Sequence, residues 1–307
     1  MKKVLVTGST GFIGRQTLNL LIKKGYEVHA IFCNSNYASF NFEFDSSIIW
    51  HRCNLLNSNE VNQIFSKIKP THLMHFAWYA EHGKFWSSEK NIMWLEASLA
   101  IVRAFKSNGG MRIIASGTCA EYSWRDNQIL LETSLTKPAT LYGICKASFH
   151  EVLASYAEEQ KISYSWGRIF FLYGEGEPNT RLIPHIIRNL LQNQDALCSH
   201  GNQLRDFLHV QDVAQAFVDI MDSEIMGPIN ISSGVPISIK DVGNLIHNNM
   251  NTKGKIIYGA SEASPDDPPL IVGDNSRLKN ELSWNQSISL SEGIKGLIDY
   301  QRELLKV

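Results

Sequence analysis

Short apolar runs recur along the first half of the chain, most of them followed by a longer stretch in which apolar positions return every three or four residues. Residues 4–6 (V-L-V) read as a buried strand and 16–24 as a helix. Further strands are predicted at 27–32, near 48–50, at 71–77 and at 111–115. Helices are predicted from Asn91 to about 107 and from Tyr142 toward 159. Strands alternating with helices at this rhythm predict an α/β fold with a doubly wound parallel sheet, in which function gathers at the carboxyl ends of the strands.

The first strand runs directly into T-G-S-T-G-F-I-G, residues 7–14. Glycines here let the backbone turn tightly, approach a pyrophosphate and pack helix against strand, with amide N–H groups and the helix N-terminus facing the anion. The spacing is G-x-x-G-x-x-G, not the G-x-G-x-x-G fingerprint. Gly8, Thr10, Gly11, Phe12, Ile13 and Gly14 are the expected cofactor-binding residues of this loop. The second strand ends in F-C-N-S-N, residues 32–36, with no carboxylate before Glu43 and no Arg or Lys in the segment. A carboxylate there would accept from the ribose hydroxyls of NAD, whereas Asn34, Ser35 and Asn36 can donate to a phosphate. The cofactor expectation is therefore NADP(H) ahead of NAD(H). Asn54 and Leu55, after the third strand, are placed beside the adenine. Phe76, Ala77, Ala115 and Ser116, at the ends of two more strands, complete the expected lining.

Residues 142–146 read Y-G-I-C-K. On a helix, positions i and i+4 share a face, so the Tyr142 phenol and the Lys146 ammonium point the same way. A cation near a phenol lowers its pKa, so this pair is expected to act as an acid/base couple near neutral pH. Ser116-Gly117-Thr118 reaches the same sheet edge, and a hydroxyl there can bond a substrate oxygen while Tyr142 handles the proton. The loop 78–86, W-Y-A-E-H-G-K-F-W, is unusually aromatic and offers Trp78 to a substrate pocket.

Composition narrows the choice. A net charge of −1 and the lack of a dense basic cluster give no reason to expect a nucleic-acid partner. The five cysteines, at 33, 53, 119, 145 and 198, form no C-x-x-C pair and no metal-ligand spacing, so reduced thiols and no metal site are expected. No apolar run approaches the length of a membrane span, and no signal peptide precedes Val4. A cytoplasmic protein without membrane contact is expected.

The T-G-S-T-G-F-I-G loop, S-G-T, Y-G-I-C-K, R-I-F-F-L-Y-G at 168–174 and R-D-F-L-H-V-Q-D-V-A at 205–214 occur in this order. G-P-I-N-I-S-S-G at 227–234 and L-S-W at 282–284 follow them. Together they resemble the extended short-chain dehydrogenase/reductase family, in its branch of NAD(P)-dependent sugar-nucleotide epimerases, dehydratases and reductases. The resemblance implies a Rossmann dinucleotide-binding domain over residues 1–174 with a returning segment at about 203–234. It implies a smaller substrate-binding domain over 175–202 and 235–307. It makes Thr118, Tyr142 and Lys146 catalytic, with Tyr142 and Lys146 also touching cofactor, and it gives Arg205 to the substrate diphosphate. It further implies a homodimer built on the helices at 91–107 and 141–159 and a nucleotide-diphosphate sugar as substrate.

Departures from the family pattern choose among reactions. The 4,6-dehydratases of this branch follow the catalytic threonine with an acidic pair, but Cys119 and Ala120 stand here. Glu121, one place on, is expected to point elsewhere. Phe171 replaces an asparagine that contacts the diphosphate, and the R-P-G-D stretch is Ser264-Pro-Asp-Asp267, for which Arg181 is offered as replacement charge. The expected reaction is reduction of a nucleotide-linked 4-keto-6-deoxyhexose at C4. A 4-epimerase is the alternative, ahead of a dehydratase or a non-catalytic dinucleotide-binding protein.

Overall fold

Val4, Leu5 and Val6 are wholly buried in β1 (Lys3–Thr7), the strand at which the order of the main sheet reverses. The computed structural model describes residues 2–33, 44–125, 128–262 and 267–306. The expected phosphate donors Asn34, Ser35 and Asn36 lie outside the described residues, as do Ser264, Pro265 and Asp266.

After β1 come α1 (Gly14–Lys23), β2 (Glu27–Phe32), β3 (Ile49–Arg52), α2 (Ser58–Ile68), β4 (His72–His75) and α3 (Lys90–Ser107). There follow β5 (Arg112–Thr118), a 3-10 turn at Cys119–Glu121, α4 (Leu141–Gln160), β6 (Ser163–Ile169), β7 (Phe171–Tyr173) and α5 (Leu182–Leu191). The next elements are β8 (Ala196–Cys198), β9 (Leu204–Arg205), β10 (Phe207–His209), α6 (Val210–Met221) and β11 (Gly227–Ile231). The chain closes with β12 (Ile237–Ser238), α7 (Ile239–Asn248), β13 (Ile256–Tyr258), β14 (Leu270–Ile271), α8 (Ser276–Leu282) and α9 (Leu290–Leu305).

Seven strands form one parallel sheet in the order β11-β6-β5-β4-β1-β2-β3. The expected doubly wound α/β architecture is thus present, with small sheets near the C-terminus. Alternation along each strand sends Val4, Val6, Val28 and Ala30 to the face covered by α1 and α6. Leu5, Ile31 and Leu73 go to the other face, against Phe65, Phe105, Phe149 and Trp166 under α2, α3 and α4. A separate core of Ile183, Ile186, Ile187, Leu190, Val242, Ile246 and Leu297 joins α5, α7 and α9. Leu278 and Trp284 pack into the α1/α6 core, so this late stretch sits with the main sheet although the drawn boundary assigns it to the substrate side.

Strand boundaries differ at one informative place. β5 does not stop at Ala115 but runs to Thr118, paired in register with β6 through Gly117↔Arg168 and Thr118↔Ile169. Gly117 permits it: a Cβ there would lie 2.2 Å from Nε1 of Trp166 and 2.6 Å from Oε1 of Glu121.

The two cores are stitched by buried carboxylates. Asp206 accepts from the N–H groups of Ser233, Gly234 and Gly273 and from the Ser233 hydroxyl. Asp212 accepts from the N–H groups of Ser287 and Ile288. His209 caps α6, its ring accepting from Gln211 N–H, and its Nε2 lies 3.5 Å from the Glu175 carboxylate.

Candidate active site

The glycine loop closes on itself and on its neighbours. Gly8 has φ +68°, and a Cβ there would stand 2.8 Å from the Ala77 nitrogen; a Cβ on Gly14 would stand 2.2 Å from the Gly8 carbonyl oxygen. Only glycine fits either place. The Ser9 hydroxyl donates to the Ile31 carbonyl at 2.5 Å, and Thr7 Oγ1 bonds Nδ1 of His75 at 2.7 Å, so the loop is tied to the ends of β2 and β4. α1 then begins at Gly14 with no acidic residue in its first turn. The positive end of the α1 dipole and the glycine-lined turn before it suit a diphosphate. Thr10, Phe12 and Ile13 are half-buried in this loop. Phe76 is half-buried and Ala77 buried directly beside it, while Ala115 and Ser116 are buried in β5. Leu55 is buried and Asn54 exposed, its side chain accepting from Leu56 N–H as the chain turns toward α2.

Thr118 ends β5 and caps the following turn, its hydroxyl accepting from Ala120 N–H at 3.2 Å. α4 is set against that turn by two constraints. The Thr140 hydroxyl accepts from Gly143 N–H at 3.1 Å, and Gly143 lies so close to the Ala120 carbonyl oxygen that a Cβ would come within 2.4 Å of it. This brings the Tyr142 phenol beside Thr118, close enough for the two side chains to interact. Tyr142 is held from outside by Phe85 and Trp86, edge-on at 4.9 and 5.9 Å, and donates its N–H to the Trp86 carbonyl. One turn on, Lys146 is 3% exposed and its Nζ donates to the Ser116 carbonyl at 2.8 Å.

The electrostatics correct one expectation. Burial raises the Tyr142 phenol above its ordinary value, opposed by the Thr118 hydroxyl, so the phenol is not lowered by Lys146. The depressed group is the lysine, which burial brings down to about 7 against the opposing charge of Glu121. The ammonium is directed at Ser116 and at the face of Trp78, whose ring centroid is 4.1 Å away.

The remaining expected residues divide. Trp78 lies under Lys146, with its indole N–H donated to Asn91 at 2.9 Å. Arg205 is 3% exposed, ion-paired with Asp267 at 2.6 Å and set over the Phe171 ring at 5.4 Å, so the residue that replaces the family asparagine backs the arginine. Arg181 precedes α5, half-buried, and its charge is felt by Tyr142, His82 and Glu177. Sequence reasoning missed Glu177. It is 8% exposed with Oε2 buried and unbonded among the described residues, and burial raises its carboxyl to about 8 against the charge of Arg181. The run G-E-G-E gave no signal beyond a turn.

Glu121 does point away from the pocket. Its carboxylate accepts from Thr118 N–H at 2.7 Å, from the Trp166 indole at 3.0 Å and from Arg168 Nε at 2.8 Å, all buried. Cys119 is buried in contact with an apolar cluster of Tyr122, Leu130, Phe170 and Ile271, and burial raises its thiol to about 12.

Comparison with known proteins gives one family model that matches, the NAD dependent epimerase/dehydratase family, over residues 4–232. CDP-abequose synthase from Salmonella muenchen is 25% identical over 305 residues, 97% of each chain. UDP-glucose 4-epimerase from Corynebacterium glutamicum is 26% identical, covering 92% of this chain and 90% of that one. Among solved structures, UDP-glucose 4-epimerase from Thermotoga maritima, with UDP-glucose, superposes with a TM-score of 0.88 at 23% identity over 99% of both chains, a likeness of fold.

Proposed function

We propose, from the premise that the chain belongs to the NAD dependent epimerase/dehydratase family, that it reduces the 4-keto group of a nucleotide-linked 4-keto-6-deoxyhexose. At the coarser level it is an NAD(P)-dependent enzyme of nucleotide sugars. The observation that carries the finer reading is the fate of the carboxylates around Thr118. Cys119 and Ala120 offer none, and Glu121 is committed to Arg168 and Trp166 inside the sheet. Among the described residues Thr118 is then followed by no carboxylate free to act on the substrate, and the Tyr142 phenol beside it supports reduction of a carbonyl better than elimination of water.

The glycine cradle and the ends of β1, β4 and β5 would hold the dinucleotide, which supplies a hydride when bound in its reduced form. Thr118 would donate a hydrogen bond to the C4 oxygen. As the C4–H bond forms and the carbonyl π pair moves to oxygen, Tyr142 gives its phenolic proton to that oxygen. A phenol raised by burial is fully protonated at neutral pH, which suits an acid in this direction. Lys146, with a pKa near 7 and one helical turn away, would hold the nicotinamide ribose and bring a proton back within reach. Arg205 and Arg181 would meet the diphosphate. The likeness to CDP-abequose synthase, a reductase, over almost the whole chain supports this reading. NADPH is the proposed reductant.

A 4-epimerase is the second reading, supported by the UDP-glucose 4-epimerase relative, because the same tyrosine serves both halves of an oxidation and return. The deciding experiment follows reduced nicotinamide absorbance while the purified protein meets a panel of freshly made nucleotide-linked 4-keto-6-deoxyhexoses. Stoichiometric loss of signal with product supports the reductase. Interconversion of unmodified nucleotide hexoses with tightly held NAD, and no consumption of NADPH or NADH by any keto sugar, replaces it with the epimerase.

A further inference from the structure

We infer that Arg52, on the strand next to the usual position, is the residue that receives the 2′-phosphate of the adenosine ribose. The inference rests on the proposed preference for NADPH and gives that preference a physical source. It starts from register. β2 and β3 are parallel, with Phe32 paired to Arg52, and Cys53 N–H donates to the Phe32 carbonyl at 3.0 Å. Arg52 therefore stands at the same height as the last residue of β2, on the carboxyl edge of the sheet.

Face follows from register. Residues paired across neighbouring strands project to the same side, and successive residues alternate. Trp50, two before Arg52, meets the Phe32 ring edge-on at 6.4 Å, which fixes the side shared by Phe32, Trp50 and Arg52. It is the side covered by α1. The glycine loop is pinned to this corner by the Ser9 bond to Ile31, so a ribose hanging from a diphosphate at the start of α1 comes to the ends of β2 and β3.

Charge completes the argument. β2 ends at Phe32 and is followed by Cys33, so neither residue offers a carboxylate to grip ribose hydroxyls or repel a phosphate. Arg52 is exposed on the edge strand and has no hydrogen-bonding or ionic partner among the described residues. The nearby carboxylate of Glu60 is occupied by Asn54 N–H at 2.8 Å and by the Asn57 amide at 3.0 Å. A guanidinium with free donors meets a phosphate monoester with two hydrogen bonds and opposite charge, and gains nothing comparable from a 2′-hydroxyl.

The test is cofactor binding by the intact protein and its Arg52→Gln variant, with dissociation constants for NADPH, NADH and adenosine 2′,5′-bisphosphate measured by calorimetry. The expected result is a wild type that favours NADPH, and a variant whose NADPH binding is weaker by about 10- to 100-fold while NADH binding moves less than about 3-fold. Adenosine 2′,5′-bisphosphate should bind the wild type and lose most of its affinity for the variant. Arg52 lies on an exposed edge, and an unchanged thermal midpoint will show that the variant folds. A wild type that favours NADPH by the same ratio as the variant overturns the role of Arg52 and leaves the NADPH preference standing. A wild type that favours NADH overturns the preference itself and the inference with it.

Discussion

The Nζ of Lys146 lies 4.1 Å from the ring centroid of Trp78, closer to it than to the other indole in range, Trp166, at 5.9 Å. An aromatic face stabilises the charged lysine, by about 0.5–2 kcal/mol. Replacing Trp78 by leucine keeps apolar bulk and removes that attraction. The Lys146 pKa, already near 7, should then fall by about half a unit or more. The limb of the pH–rate profile near neutrality moves to lower pH. A profile that keeps its limb in Trp78→Leu would detach the indole from the lysine's protonation.

Tyr142→Phe keeps the packing against Phe85 and Trp86 and removes the phenol that lies beside Thr118. Turnover should fall by about 10²- to 10⁴-fold, with NADPH affinity within about 3-fold of wild type. Wild-type turnover in this variant would take the proton role from Tyr142.

Glu121 is a structural anion in this reading. Glu121→Gln leaves the Arg168 guanidinium, itself 3% exposed, without its counter-charge. That should cost about 3–5 kcal/mol and lower the thermal midpoint by about 5–15 °C. Adding Arg168→Met should restore part of the loss, because the stranded charge is gone. A calorimetric midpoint unmoved in the single variant would refute the coupling.

Glu177 gives stability a pH dependence with a definite sign. Its folded pKa, about 8, is above the ordinary carboxyl value, so the native state holds its proton longer than the unfolded chain does. This contribution is fully present below the unfolded value near 4.5 and is lost as pH rises through about 8. Glu177→Gln should flatten the fall of the thermal midpoint between about pH 5 and 8. Two parallel curves for wild type and variant would show that the carboxyl does not titrate there.

α3 and α4 pack together and still expose Ile92, Met93, Ile144 and Val152, each between 46% and 48%. This face is the proposed dimer surface. Ile92→Glu with Val152→Glu should convert a dimer to a monomer in light scattering at micromolar concentration. A wild-type monomer under the same conditions would remove the proposal.

Periodicity made the sheet legible, since Val4, Leu5 and Val6 alternate faces as their burial requires, and the glycine loop was legible because only glycine meets its contacts. The pairing of Glu121 with Trp166 and Arg168 was not, because it joins residues more than forty positions apart through a register no local pattern encodes. The acid/base couple was legible as a shared helix face. Its electrostatics were not, because burial, which a spacing cannot report, raises one member and lowers the other.

β11 completes the main sheet, yet it comes roughly 60 residues after β6, whose edge it covers from Ser165 to Ile169. At ordinary rates of synthesis a growing chain spends about 3–12 s with that edge bare. A fragment cut at residue 174 would keep the edge bare for good, as a template for other strands. The main sheet is thus a unit of architecture that the ribosome cannot deliver in one piece, and the bare edge of β6 waits on sequence still to be translated.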